Sequence, residues 1–223
     1  MTADVLALFD LDHTLLTVDS DEAWVEFLIE EGLLERARFE RANHELLARY
    51  RAGEATSVEF TYFYLSTLVG REPSELAEWH TTYLERKIRP AISAAARALL
   101  AGHSGDGHLL ILTTATNRFI TAPIARELGL ENLIATEAET KDGYYTGKVA
   151  GTPNLREGKV TRLEAWLSER DLTLEGFRQS WFYSDSVNDL PLLLRVTHPV
   201  AVNADPPLSV LARERGWPQI HIK

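Results

Sequence analysis

The sequence contains no cysteine. That absence excludes disulfide staples, thiolate catalysis and thiolate ligation of a metal, and it is compatible with a reducing compartment. No apolar run approaches the roughly 20 residues that a membrane span requires. The N-terminal stretch passes Asp4 and reaches Asp10 without a basic start, so it does not read as a signal peptide. No continuous basic tract stands out and the formal net charge is -10, which argues against general binding to nucleic acid or to an anionic membrane. Also missing are a glycine-rich P-loop, a G-x-G-x-x-G segment, an H-E-x-x-H pair and a G-x-S-x-G elbow. There are no internal repeats and no low-complexity segments. The simplest placement is cytoplasmic. Oligomeric state is not legible in the pattern.

What is present is an ordinary globular composition, with 45% hydrophobic and 25% charged residues over 223 positions. Short apolar runs at 5–9, 109–113, 180–184 and 199–203 predict strands, and helical patterns at 117–128, 157–169, 187–195 and 207–215 lie between them. Strands alternating with helices of this length argue for an α/β fold, a Rossmann-like, mostly parallel sheet covered on both faces. Residues 20–88 break the rhythm with helix after helix and no convincing strand. Their start just beyond Asp10 and Asp12 favours an inserted all-helical cap at 18–88 over a catalytic core made of 1–17 and 89–223. Asp142-Gly143, within 137–150, signals a small hairpin.

Chemistry concentrates at strand ends. Asp10 and Asp12 close the first apolar run, and Asp185 and Asp189 follow the run at 180–184. Carboxylate oxygens are the ligands magnesium prefers. One carboxylate of a pair can also attack phosphorus while its neighbour protonates the departing alkoxide. A solvated turn would explain Asp10 and Asp12 equally simply, and N-capping would explain one of Asp185 and Asp189. Thr113 and Thr114 end the second run, where a hydroxyl beside the free N–H groups of a helix start can hold a phosphate oxygen or merely cap the helix. Lys159 stands near a helix start, where the dipole disfavours a cation, so a bound phosphate would supply the missing counter-charge. A free surface lysine is the plain alternative. Together these residues suggest a divalent metal and phosphoryl transfer. His44, His80 and His198 read as packing or surface residues, and Trp24, Trp79 and Tyr62-Phe63-Tyr64 as cap core.

With those motifs in order, the chain resembles the haloacid dehalogenase superfamily of phosphatases. The likeness is to the branch containing phosphoserine phosphatase, with its helical cap, and within it to a histidinol-phosphatase-like bacterial group. Asp10-Leu11-Asp12-His13-Thr14-Leu15, Thr113, Lys159 and Asp185-Ser186-Val187-Asn188-Asp189 carry the resemblance. It implies a Mg²⁺-dependent phosphomonoesterase (a phosphoric monoester hydrolase). Asp10 would be the nucleophile and Asp12 the acid and base, with Thr113 on a phosphoryl oxygen and Lys159 neutralising charge. It further implies metal coordination by Asp10, the Asp12 carbonyl and Asp185, with Asp189 orienting metal-bound water and Thr114 and Asn188 near the substrate. Asp19 corresponds to the cap glutamate that engages the substrate's amino group in phosphoserine phosphatases, with Asp21 and Glu22 close behind. Thr113-Thr114-Ala115-Thr116-Asn117-Arg118-Phe119 stands where that branch usually has Ser-Gly-Gly after the second-motif strand, and its Thr-Ala-Thr-Asn-Arg-Phe part resembles the histidinol-phosphatase-like group. Thr146-Gly147-Lys148-Val149-Ala150-Gly151 and Asn203-Ala204-Asp205-Pro206 also lean toward the histidinol-phosphatase-like group. The implied partner is a small phosphorylated metabolite, histidinol phosphate before phosphoserine. Transfer to an alcohol, or a non-catalytic binding protein of the same fold, are the competing readings.

Overall fold

Five consecutive apolar residues, Val5–Phe9, form β1, and every one of them is buried. Alternate side chains leave a strand on opposite faces. Ala7 and Phe9 accordingly join one apolar cluster, while Leu6 and Leu8 join a second on the other side of the sheet. A strand buried on both faces needs an unbroken apolar run, which is why this segment shows no polar alternation.

The computed structural model describes residues 3–222. After β1 come four helices, α1 (Ser20–Glu30), α2 (Arg36–Arg51), α3 (Ser57–Leu65) and α4 (Pro73–Tyr83). Then follow α5 (Ala94–Gly105), β2 (Leu109–Asn117), α6 (Arg118–Glu127) and β3 (Asn132–Thr136). The hairpin β4 (Ala138–Lys141) and β5 (Tyr144–Val149) precedes α7 (Glu157–Ser168), β6 (Gln179–Ser184) and the short α8 (Leu190–Leu193). The chain ends with β7 (His198–Val202), α9 (Pro206–Arg215) and β8 (Gln219–Ile220).

The main sheet has the order β3-β2-β1-β6-β7-β8 and every pairing in it is parallel. From central β1 the chain builds outward to β2 and β3, then returns to the other flank for β6, β7 and β8. The C-terminal ends of β1 and β6 therefore bound the switch point at which α/β sheets bind ligands. One apolar cluster under α1, α4, α5 and α6 and another under α7, α8 and α9 close the two faces.

Local signals set many of the boundaries. Asp19 caps α1 by accepting from the Glu22 N–H at 2.9 Å, and Pro73 opens α4. Gly216 ends α9 in the left-handed region at φ 68°. Asp142 and Gly143 both have positive φ, as a tight two-residue hairpin turn demands.

Three expectations need correction. β3 and β8 were not foreseen, and the second strand runs four residues beyond 113, to Asn117. The helix expected over 187–195 is a 3₁₀ turn, Val187–Asp189, followed by α8. Pro191 has no N–H to carry a longer helix, and the tight turn instead brings Asp189 back toward the sheet.

Candidate active site

The loop after β1 carries Asp10 and Asp12 to the switch point, and Asp10 is buried. Lys159, in the first turn of α7, reaches it: Nζ donates to Asp10 Oδ1 and to Asp189 Oδ2, each at 2.7 Å. A lysine only 2% exposed at a helix N-terminus opposes both burial and the helix dipole. Burial acts to lower its proton affinity, but Asp10 and Asp189 outweigh it and keep the ammonium charged. The approach of α7 is close. A Cβ on Gly158 would sit 2.1 Å from the Pro153 carbonyl oxygen, so only glycine lets the chain turn here.

Asp189 is itself fixed by Ser184 Oγ, which donates to Oδ2 at 2.7 Å. The residue expected to orient metal-bound water thus commits one oxygen to Lys159 and Ser184. Asp185 is half-buried at the cleft wall. Burial, then the negative charges of Asp10 and Asp189, push its carboxyl up to about 8. Burial first, against the pull of Lys159, also raises Asp10, to about 7.

Asp12 is held on both oxygens, by the Ser20 N–H on Oδ1 and by Thr116 Oγ1 on Oδ2, each at 2.8 Å. Burial, helped by the charge of Asp19, lifts its carboxyl to about 6. That value suits a group that must give and take a proton near neutrality. Asp19 is raised to about 6, chiefly by burial, and Asp21 is raised further in direction by burial, Asp19 and Asp12.

These residues line one cavity of about 420 Å³. Thr114, Asn188, Asp10, Asp12, Asp19, Asp185, Asp189 and Lys159 all reach it. Thr113 does not. It is fully buried, and its hydroxyl accepts from Asn154 Nδ2 at 3.0 Å on the far side of the strand. Thr114, one residue on, lines the cleft in its place. A larger cavity of about 810 Å³ between α4, α6 and the hairpin contains none of Asp10, Asp12, Asp185 and Asp189.

Several contributors escaped the sequence reading. Asn154 is wholly buried and ties Thr113 to the carbonyls of Thr114 and Ile134. Ser57, Phe60, Thr61 and Tyr64 roof the cleft from α3, and their i, i+3, i+4, i+7 spacing was the available signal. Tyr64 thus belongs to the cleft wall as well as packing on Phe39 and Phe63 within the cap. Asn203 Nδ2 donates to the His13 carbonyl at 2.8 Å, and Asp205 Oδ2 accepts from the Val187 N–H at 3.0 Å, so the C-terminal Asn-Ala-Asp-Pro braces both catalytic loops.

The donor set fits a hard cation. Among the described residues no group of three or more His, Cys, Asp or Glu side chains is arranged around a metal position. Two carboxylates that line the cavity, Asp10 and Asp185, offer the oxygen donors such an ion takes. Magnesium typically binds through one or two carboxylates, keeping waters and substrate oxygens for the rest of its shell.

Such a sheet, with a carboxylate pair at its switch point and a buried lysine beside it, defines a class. The chain belongs to the haloacid dehalogenase-like hydrolase family, whose model matches residues 7–194. It is 44% identical over 219 residues to a histidinol-phosphatase of Neisseria meningitidis, covering 98% of this chain and 99% of the relative. It is also 31% identical to a phosphoserine phosphatase of Mycobacterium tuberculosis, covering 95% of this chain and 68% of that one. A Bordetella pertussis protein of unknown function, known by crystal structure, shares 47% identity over the full length of both chains with a TM-score of 0.94. The chain is a phosphomonoesterase. Among the described residues no helix is long and apolar enough to cross a membrane.

Proposed function

We propose that this enzyme hydrolyses a small, amine-bearing phosphate monoester through an aspartyl-phosphate on Asp10, with histidinol phosphate as the leading substrate. The observation that carries this reading is the buried Lys159–Asp10 contact in a cleft where Asp12 stands beside the nucleophile. An anionic carboxylate approaches a phosphate dianion only if cations offset the repulsion. Asp10, the Asp12 carbonyl and Asp185 would hold Mg²⁺, which when bound supplies that offset together with Lys159 and stabilises charge on the transferring group.

In the first step an Asp10 oxygen forms a bond to phosphorus as the ester P–O bond breaks, and Asp12 gives its proton to the departing alkoxide. In the second, Asp12 takes a proton from water, the water oxygen attacks phosphorus, and the bond to Asp10 breaks to release inorganic phosphate. Thr114 would hold a phosphoryl oxygen and Asn188 would contact the substrate from the rim. Asp189, buried against Lys159, would keep the ammonium aimed at the reacting centre and turn its remaining oxygen toward metal-bound water. Asp19, with Asp21 beside it, faces the cleft from α1 and supplies the negative charge that an ammonium group on the substrate would meet. The histidinol-phosphatase relative supports the leading substrate, and the phosphoserine phosphatase relative makes phosphoserine the second reading.

The test is phosphate release from a panel of metabolite monoesters, with Mg²⁺ and with chelator, using Asp10→Asn as the blank. The expected result is metal-dependent preference for histidinol phosphate and no turnover above blank by Asp10→Asn. Preference for phosphoserine would promote the second reading. Near-native turnover by a folded Asp10→Asn protein would overturn the nucleophile assignment.

A further inference from the structure

The carboxylate assigned to leaving-group protonation is held by two unlike partners. Its Oδ1 accepts a main-chain N–H, from Ser20 at the start of α1, which comes with the fold whatever the side chain there. Its Oδ2 accepts from a side chain, Thr116 Oγ1, at 2.8 Å. The Ser20 N–H can only donate, whereas the Thr116 hydroxyl can rotate between donating and accepting, so Oδ2 is the oxygen that can carry the transferable proton. Thr116 therefore holds the oxygen from which the proton must leave.

Thr116 is well placed to fix that oxygen. It is 5% exposed, and its backbone N–H donates to Thr114 Oγ1 at 3.2 Å, locking it to a residue that lines the cleft. Its β-branched side chain is stiff at χ1. The same hydroxyl lies 3.4 Å from Asp21 Oδ2, and Asn117 Nδ2 donates to Asp21 Oδ1 at 3.4 Å. A hydroxyl has one proton, and the shorter contact assigns it to Asp12. Without it, Asp12 and Asp21 would face each other across an unbridged gap, and their repulsion would turn Asp12 away from the leaving oxygen.

We infer that Thr116 is a positioning residue for Asp12, fixing through its hydroxyl the oxygen that protonates the leaving group. This rests on the reading of Asp12 as the acid. The role has a chemical signature that packing alone lacks. An aliphatic alkoxide is a poor leaving group and needs the proton, whereas p-nitrophenolate leaves well without it.

The experiment compares kcat/KM, which reports the step forming the aspartyl-phosphate, for an aliphatic phosphate monoester and for p-nitrophenyl phosphate. Thr116→Val keeps the shape and removes the hydroxyl, and Thr116→Ser restores it. We expect Thr116→Val to lower kcat/KM on the aliphatic ester by about 10- to 100-fold, with a loss at least about five times smaller on the aryl ester. Thr116→Ser should recover most of the aliphatic rate. Equal losses on both esters, no loss on the aliphatic ester, or failure of serine to rescue would each overturn the proposal. If Thr116→Val does not fold, judged by its thermal transition, Thr116→Ala is carried through the same comparison. Asp12→Asn separates the two levels. If it loses equally on both esters, the acid assignment itself falls and the proposal with it. If it shows the contrast and Thr116→Val does not, only the role of Thr116 falls.

Discussion

Helix α1 buries Trp24, Val25, Phe27 and Leu28, and α4 buries Leu76, His80 and Tyr83, whereas Leu46 is the single buried residue of α2 and Leu65 that of α3. All four helices belong to one insertion between β1 and β2. The first and last share an apolar cluster with Phe9 of the sheet and Ile120 of α6. Trp24 sits amid Phe27, His80, Tyr83 and Phe119, and its indole N–H reaches Thr67 at 3.1 Å. The middle two line the cleft and pack mainly on each other, through Phe39 against Phe63 and Tyr50 against Phe60, and bury far less. The hairpin leans on the link between α3 and α4, with Gly147 close against Val69 and Tyr144 donating to Glu72.

The two halves also divide the recognition chemistry. Asp19 and Asp21 stand on the anchored α1, while Phe60 and Tyr64 stand on the thinly held roof. The acidic groups thus ride on the deeply packed helix, and the apolar wall of the cleft on the thinly packed one.

The largest test of this division is stability. Trp24→Ala should cost about 3–5 kcal/mol in urea unfolding, and Leu46→Ala less than about 2 kcal/mol, because Leu46 is the single buried residue of its helix and leaves little packing to lose. Equal costs would erase the distinction between the halves. Next comes recognition. Asp19→Asn retains a helix cap, since asparagine caps as well as aspartate. It should raise KM about 10-fold for an amine-bearing ester while leaving a neutral ester nearly unchanged, the loss expected of one charge-assisted contact. Tyr64→Ala, on the roof, should raise KM for both esters alike. A reversal of those two patterns would move the specificity charge off α1.

The smallest expected effect is electrostatic and belongs to the core. Asp185 is pushed up to about 8 by burial and by its acidic neighbours, well above an unfolded carboxyl. Between the unfolded and folded values the folded chain binds more protons than the unfolded one, so this contribution to stability is present at low pH and is lost as pH rises through about 8. In metal-free protein, Asp185→Asn should therefore raise the melting temperature more at about pH 8 than at about pH 5.5, by a few degrees. Added Mg²⁺ should stabilise the wild type more at the higher pH, where the carboxylates are ionised, and should do little for the variant. A melting temperature for Asp185→Asn that tracks the wild type at both pH values would remove the charge argument.

What the sequence determined by itself was whatever a local pattern can express. A five-residue apolar run ending in Asp10-Leu11-Asp12, a lysine at a helix start and Asp185 with Asp189 each declare themselves within a few positions. So does the Asp-Gly turn. The alternation of strands and helices then settles the class of fold. Only the tertiary structure decided which of two adjacent threonines meets the cleft. Successive strand residues point to opposite faces, so one position of register separates a cleft hydroxyl from a core hydroxyl, and Asn154, forty-odd residues away, holds that register. The same holds for the face of α3, which an amphipathic pattern cannot assign to core or cleft, and for the bond between Thr116 and Asp12, made across 104 residues. Contacts at that range depend on where the chain returns in space, and no local periodicity carries that information.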